Sequence, residues 1–306
     1  MDGILNINKP FGKTSFSVVS LVKRLSGERR VGHAGTLDPA AIGVLPVCLG
    51  QATRVVEYFH DATKTYRAEV ALGITTDTYD AAGQVTGQCD ASRVTREQVE
   101  SALAPFRGLI QQTPPMFSAV RHKGQKLYTL ARAGVEVERK SRPAQIFRLE
   151  LTGWQPSSAT LEVECGKGTY IRSLAHDIGQ ALGCGASLKG LTRLRCGPFD
   201  IEHAVSLEGL QEVFGSGRWE RLLYPIDTVL LDWKTILVSD AGEVAIRQGK
   251  PLAAKESEET LAEGRCRAYT LDGRFLAVLS LNRETMQWKP EKVFGRAGII
   301  DCRRCK

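Results

Sequence analysis

Gly32-His33-Ala34-Gly35-Thr36-Leu37-Asp38-Pro39-Ala40-Ala41-Ile42-Gly43-Val44-Leu45-Pro46-Val47-Cys48-Leu49-Gly50-Gln51-Ala52-Thr53-Arg54 is the stretch that decides how this chain is read. Its first eight residues hold two glycines, a histidine and an Asp-Pro step, a mixture poorly suited to a core element. Gly32 and Gly35 are open to backbone angles that side chains forbid. Pro39 fixes its own φ and turns Asp38 away from helical geometry. The Asp38 carboxylate is therefore expected on a stiff, extended piece of backbone. Directly after it, Val44 to Leu49 is an apolar run that predicts a buried strand. A rigid polar loop leaning on a buried strand is a common way to present a catalytic group. The competing reading is that Asp38 only caps a turn, and the flanking sequence has to decide between them.

On the N-terminal side, Ile4 to Lys9 predicts a short strand closed by Pro10. Thr14 or Ser15 then caps a helix whose Val18, Val19, Leu21, Val22 and Leu25 form one face, stopped by Gly27. Gly12-Lys13-Thr14 looks like the end of a phosphate-binding loop, but position 7 is Ile where such a loop needs Gly, so a nucleoside triphosphate site is excluded. On the C-terminal side, Ala52 to Phe59 predicts a short helix, and Lys64 to Leu72 alternates as a strand does. Thr75 to Gly83 is a polar loop, and Thr95 with Gln98 makes a capping box for a helix through Leu103. After a break at Thr113-Pro114-Pro115, a helix is predicted from Leu127 to Ala133, and strands at Ile146 to Leu151 and Thr160 to Cys165.

Gly166-Lys167-Gly168-Thr169-Tyr170-Ile171-Arg172 turns from that last strand into a helix, capped by Thr169 and ended by Gly183. Arg172 falls in the first turn, where a cation opposes the helix dipole, and so suggests an anionic partner. Gly183-Cys184-Gly185 follows a helix rather than opening one, which excludes a dinucleotide fingerprint. Leu188 to Arg195 carries Lys189, Arg193 and Arg195 on a short amphipathic piece. A second domain is expected from near Trp233. There Ser239 caps a helix through Arg247, and Arg267 to Leu281 is a hairpin around Asp272-Gly273. So small and strand-rich a unit predicts a compact β barrel.

At 306 residues the chain has room for two domains. No apolar run is long enough to span a bilayer, and Met1-Asp2-Gly3-Ile4 has no basic segment ahead of an apolar one. The expected location is the cytoplasm, where the scattered cysteines are free thiols. Cys302-Arg303-Arg304-Cys305 has zinc-like spacing, but it is a single pair, so no metal is expected. A net charge of +7 points to a polyanionic partner. From Arg121 to Arg148 eight Lys/Arg face only Glu136 and Glu138. Tyr128, Phe147 and two glycines are interleaved there and Phe117 lies just ahead, which suits a strand-tracking surface.

Lys9-Pro10-x-Gly12-x-Thr14-Ser15, the Gly32 to Arg54 block, Tyr66 with Leu72-Gly73, Pro114-Pro115-x-x-Ser118-Ala119, and Gly168-Thr169-Tyr170-Ile171-Arg172 with Leu174 together resemble the bacterial TruB-type tRNA pseudouridine synthases. The similarity runs through most of residues 4 to 230, and the family loop usually has Thr where Ala34 stands. It implies an α+β catalytic domain over residues 1–232 with a mixed, mainly antiparallel central sheet. It also implies an RNA-binding insertion at about 111–142 and a PUA-like RNA-binding barrel over 233–306. The implied activity is isomerisation of the T-loop uridine at tRNA position 55 to pseudouridine by one carboxylate, with no cofactor. By this resemblance Asp38 is nucleophile or base, and Arg172 pairs with it, a nearby cation favouring an ionised carboxylate. Tyr66 stacks on the target base, and His33 fills the gap left when that base is flipped out. Tyr170 and Leu191 line the uridine pocket, and Lys9 joins them as a substrate-binding residue. The implied partner is the tRNA T arm, met by a monomer without membrane, guide RNA or obligate protein partner. A non-catalytic RNA-binding protein and a guide-RNA-dependent dyskerin relative are the alternatives. Against the latter, the chain starts a few residues before the first motif and lacks long basic tails.

Overall fold

The computed structural model describes residues 1–254 and 264–295. In chain order the first part supplies β1 (Gly3–Lys9), α1 (Ser15–Ser26), β2 (Val31–His33), β3 (Ala41–Leu49), β4 (Lys64–Leu72), β5 (Ile74–Thr76), β6 (Val85–Gln88), α2 (Arg96–Ala102) and β7 (Gly108–Gln112). Next come β8 (Arg121–His122), β9 (Gln125–Lys126), α3 (Leu127–Arg132), β10 (Arg142–Gln155), β11 (Ser158–Cys165), α4 (Ile171–Ala181), β12 (Ala186–Cys196), β13 (Phe199–Asp200), α5 (Leu207–Gly215) and β14 (Leu223–Tyr224). Ten strands make one sheet in the order β14-β1-β3-β12-β4-β11-β10-β7, with β2 on β3 and β13 on β12. Only β3 with β12 is parallel, so the sheet is mixed and mainly antiparallel.

The apolar run of β3 is buried throughout from Val44 to Leu49, as a strand covered on both faces requires. The Thr14 hydroxyl caps α1 by accepting from the Ser17 N–H, and Gly27 ends it in the left-handed region at φ 66°. Val18, Val19 and Val22 of α1 pack with Leu5, Ile7, Leu45 and Val47 in one cluster. A second cluster joins Ala68 and Val70 of β4 and Leu161 and Val163 of β11 to Leu174 and Ile178 of α4. Tyr66 and Leu191 pack against both clusters, so they mark the seam between them.

Four local expectations are revised. Gly32 lies in β2, paired with Cys48, and only Gly35 of the two loop glycines has positive φ, at 77°. Gly50–His60 is a 3-10 helix; the buried Lys64 ammonium closes its end by donating to Phe59 O, His60 O and Ala62 O at 2.7, 3.1 and 2.6 Å. Thr169 does not cap α4: Tyr170 holds the N-cap position, and the Thr169 hydroxyl donates to Gly166 O at 3.1 Å. Leu188 to Arg195 belongs to β12 in the middle of the sheet, where register shifts at Leu188/Gly190 and Arg193/Arg195 break the alternation that marks a strand.

The C-terminal part holds β15 (Thr235–Val238), α6 (Asp240–Arg247), β16 (Leu252–Ala253), β17 (Arg265–Thr270), β18 (Phe275–Asn282) and β19 (Gln287–Val293). These five strands form a separate PUA-like half-barrel in the order β15-β17-β18-β19-β16. Ser239 caps α6 as expected. The half-barrel is docked through apolar and polar contacts alike. Val278 and Phe294 share a cluster with Ile4, Val44, Val55 and Phe59. Arg54 donates to Val293 O and Lys292 donates to Arg54 O, both at 2.6 Å. Cys302 and Cys305 lie outside the described residues. Among the described residues, no helix is long and apolar enough to cross a membrane.

Gly43 and Gly32 give a contrast that tests this packing. A Cβ on Gly43 would lie 2.3 Å from Arg193 O, at a φ of +105°, whereas one on Gly32 meets nothing nearer than Thr53 Cγ2 at 4.0 Å. Gly43→Ala is expected to cost at least about 3 kcal/mol, from left-handed strain plus a backbone clash. Gly32→Ala is expected to cost less than about 1 kcal/mol. Urea unfolding of the two variants checks the order.

Candidate active site

The loop from Ala34 to Ala40 joins β2 to β3 and has no regular structure of its own, so its polar backbone must be satisfied from outside. Three side chains do this. The Ser15 hydroxyl donates to Leu37 O at 3.1 Å and accepts from the Leu37 N–H at 2.9 Å. Arg193, 1% exposed, donates to Val44 O at 2.6 Å and Gly35 O at 2.9 Å. Lys9, fully buried, places its ammonium 2.7 Å from Lys13 O, 3.1 Å from Pro10 O and 3.4 Å from Pro39 O. Burial pushes the Lys9 ammonium down to about 8, partly offset by the Asp38 carboxylate. Asp38 opens a turn, with its O accepting from the Ala41 N–H at 3.0 Å and Pro39 at the next position. The backbone of Asp38 makes the turn, and that leaves its carboxylate to point elsewhere.

That carboxylate meets Arg172. Asp38 Oδ2 lies 3.1 Å from Arg172 Nη2, with the Asp38 side chain 47% exposed and that of Arg172 8%. The guanidinium is held from several segments at once. Its Nη2 also donates to Phe117 O at 2.9 Å, and its Nη1 to Thr78 O at 3.3 Å. Asp80 Oδ2 lies 3.4 Å from Nη1. Asp80 is fixed in turn, its Oδ1 accepting from the Thr78 hydroxyl at 2.6 Å and the Ala82 N–H at 3.0 Å. Arg172 therefore ties α4 to the Asp38 loop, to the loop after β5 and to the segment after β7.

The remaining predicted residues lie on the elements that adjoin the Asp38 loop or start α4. Leu37 and Ala41 bracket Asp38 and belong to the cluster against which Tyr66 and Leu191 pack. Tyr66 faces Arg193 across β4 and β12, and Leu191 pairs with Ala68 on one side and Ala41 on the other. Burial pushes the Tyr66 hydroxyl up to about 12, with the Arg193 guanidinium pulling the other way. His33 is half-buried, and its Nδ1 is buried with no hydrogen-bond partner. Burial and then Arg193 lower its pKa, so the ring is neutral at neutral pH. Tyr170 starts α4 with both backbone groups on the Gln112 amide, at 2.7 and 3.0 Å. Lys9, expected among the substrate-binding residues, is instead fully buried beneath the loop, because its ammonium is taken up by carbonyls.

Known proteins with this architecture sharpen the assignment. Residues 23–171 match the family model of the TruB family pseudouridylate synthase N-terminal domain, and residues 172–231 match that of the tRNA pseudouridylate synthase B C-terminal domain. The tRNA pseudouridine synthase B of Dehalococcoides mccartyi strain BAV1 is 42% identical over 97% of each chain. That of Syntrophomonas wolfei is 44% identical over 96% of this chain and 99% of its own. The chain belongs to the TruB family of pseudouridine synthases. It is a tRNA-modifying isomerase. Among solved structures, a Cbf5–Nop10–Gar1 complex is similar at TM-score 0.74 and 28% identity, over 95% of this chain and 84% of that one. An H/ACA RNP bound to a substrate RNA containing 2'-deoxyuridine follows at TM-score 0.72 and 26% identity, over 96% and 85%.

Asp80, Arg193 and Gln112 escaped the sequence reading. Asp80 was hidden in a polar loop, although the Thr76-Asp77-Thr78-x-Asp80 run is rich in side chains that bond their own backbone. Arg193 sits between Thr192 and Leu194 in a strand whose bulges hide its inward direction.

The Lys9 clamp generates a test with a definite sign. Folded, Lys9 releases its proton near pH 8; in the unfolded chain it does so near 10.5. Between these values the unfolded state binds the extra proton, so this group makes stability rise with pH. Lys9→Met is expected to cost about 1–3 kcal/mol at pH 7, because carbonyls lose their donor. The deficit relative to wild type should widen from pH 8 to pH 10, as read by urea unfolding across that range.

Proposed function

We propose that the protein isomerises the uridine at position 55 in the T loop of tRNA, with Asp38 carrying the reaction. The observation behind this is the Asp38–Arg172 ion pair, half open to solvent, beside the seam that Tyr66 and Leu191 mark. In the reaction the N1–C1′ bond breaks, the base turns, and a C5–C1′ bond forms. The C5 proton leaves and N1 gains one. No electron pair is gained or lost overall and no phosphoryl group moves, so one carboxylate serving as nucleophile or base is sufficient.

The other residues take roles that their surroundings suit. Arg172 is anchored on two carbonyls and Asp80, and orients the Asp38 carboxylate through a single nitrogen. Tyr66, protonated at neutral pH, offers a ring face to the base and a hydroxyl donor near the reacting carbons. The uridine leaves the loop's stack at a cost of about a few kcal/mol, and the neutral His33 ring fills the space. Tyr170 and Leu191 wall the pocket. Lys9 and Arg193 act as positioning residues that hold the loop. The basic stretch at 111–142 closes over the RNA. The protein works as a monomer in the cytoplasm, without guide RNA, as its likeness to bacterial tRNA pseudouridine synthases B supports. The similarity to Cbf5 in its complexes is the observation that favours a guided assembly instead.

Purified protein alone, incubated with a tRNA transcript tritiated at uridine C5, separates these readings. Wild type should release one equivalent of tritium per tRNA, and chemical mapping should find the pseudouridine at position 55. Asp38→Asn keeps the turn but removes the charge; release should fall to background while filter binding of tRNA stays within about twofold. Arg172→Lys loses the planar fork, and should lose more in single-turnover rate than in affinity. Normal release by Asp38→Asn would overturn the assignment of Asp38, and release that requires an added guide RNA would favour the assembly.

A further inference from the structure

Phe11 and Phe16 are the two most exposed large apolar side chains among the described residues, each 74% accessible. Two such phenylalanines five residues apart are unusual on a surface that has no use for them. Both are attached to the machinery that fixes the catalytic loop. Phe11 lies in the turn after β1, next to Gly12, whose N–H donates to Pro39 O at 2.8 Å. Phe16 follows Ser15, whose hydroxyl clamps Leu37. The polar neighbours of this patch are strongly one-sided. From Lys9 to Arg30 there are six Lys/Arg and one acid, Glu28. Glu28 is occupied by the chain's own N-terminal ammonium at 2.6 Å. Lys13, Lys23, Arg24, Arg29 and Arg30 are all exposed. Helical spacing puts Phe16, Ser20, Lys23 and Arg24 on one outward face of α1.

The geometry points to a stacking platform: Phe11 and Phe16 each receive the face of an unpaired base of the substrate RNA, outside the uridine pocket, while Lys13 and the basic face of α1 meet its phosphates. This rests on the tRNA-directed reading given above and adds a surface to it. Exposed aromatic rings interleaved with cations are the chemistry that single-stranded nucleic acid recognises, because every base has a π face. A protein partner would be expected to bury the rings against apolar groups and would leave the surrounding cations without counter-charges. The platform hangs from the same turn and helix that hold the Asp38 loop. Bases stacked there hold the RNA in register with the loop rather than with a distant domain.

The test is binding of an unmodified tRNA transcript by the full chain, with far-ultraviolet circular dichroism to confirm folding. Phe11→Ala and Phe16→Ala should each weaken binding about tenfold, the scale of one lost stack. Phe16→Trp should restore wild-type affinity and Phe16→Leu should not, because leucine supplies apolar area without a π face. The slope of log K against log salt should stay unchanged in the Phe variants, whereas Lys13→Gln should reduce it by about one phosphate contact. Wild-type affinity in the Phe11→Ala/Phe16→Ala double variant would overturn the proposal. So would full recovery with leucine, or sedimentation showing that wild type self-associates and the double variant does not. These outcomes are independent of the tritium assay: a protein inactive at position 55 would still bind RNA through the platform, and an active one without it would bind equally well with alanines there.

Discussion

A loop without secondary structure can hold a carboxylate still only if something else accepts responsibility for its backbone. Here that constraint is met by buried cations facing carbonyls. Arg193 is 1% exposed and Lys9 fully buried, and both donate to backbone oxygens: Arg193 to Gly35 O in the loop and Val44 O in β3, Lys9 to Pro39 O in the loop and to Pro10 O and Lys13 O in the turn beside it. An isolated buried charge is costly, but one surrounded by carbonyl dipoles recovers much of its solvation. The glycines follow from the same arrangement. Gly35 leaves room for Arg193 Nη1, which would lie 3.2 Å from a Cβ there, and Gly43 lets the β3 backbone approach that of β12. The parallel β3–β12 contact, the rigid loop and the position of Asp38 therefore stand or fall together.

Much of this was legible in the sequence, and the parts that were not have a common cause. Local signals survived. The Thr14 cap, the Gly27 stop, the Thr95/Gln98 capping box and the Lys64–Leu72 alternation all depend on residues close in the chain, and each reads correctly. The Asp38 loop was legible because Gly35 and the Asp38-Pro39 step are poorly suited to regular structure. What stayed hidden was set by distant partners. Gly32 is extended because β3, more than ten residues further along, pairs with it. Arg193 read as one of three cations on a short amphipathic piece because β12 shifts register twice within a few residues. Asp80 matters only through a guanidinium 92 positions further along the chain, and no local pattern reports that.

The two units are bound more intimately than a linker-joined pair would be. Val278 and Phe294 complete a cluster begun by Ile4 and Val44, and Arg54 and Lys292 exchange backbone contacts across the junction. The half-barrel therefore buries the outer side of the segment that follows β3. A deletion at residue 232 would expose Val55 and Phe59 to water, so point substitutions are the cleaner way to test what the half-barrel contributes. The arrangement also ties the half-barrel to the strand that follows the Asp38 loop.

The division of labour around Arg172 explains why one guanidinium is given so many partners. Were it held by Asp38 alone, the favoured geometry would be the bidentate fork, with both carboxylate oxygens engaged. Instead Thr78 O, Phe117 O and Asp80 fix the cation from behind, and Asp38 touches it through Nη2 only. The cation is thus placed without consuming the carboxylate. Asp80, 14% exposed and bonded to Thr78 and Ala82, is a fixed counter-ion, whereas Asp38 at 47% retains an open side. Two carboxylates on one arginine would otherwise be redundant. Their unequal burial makes one a fixed counter-ion and leaves the other open to solvent.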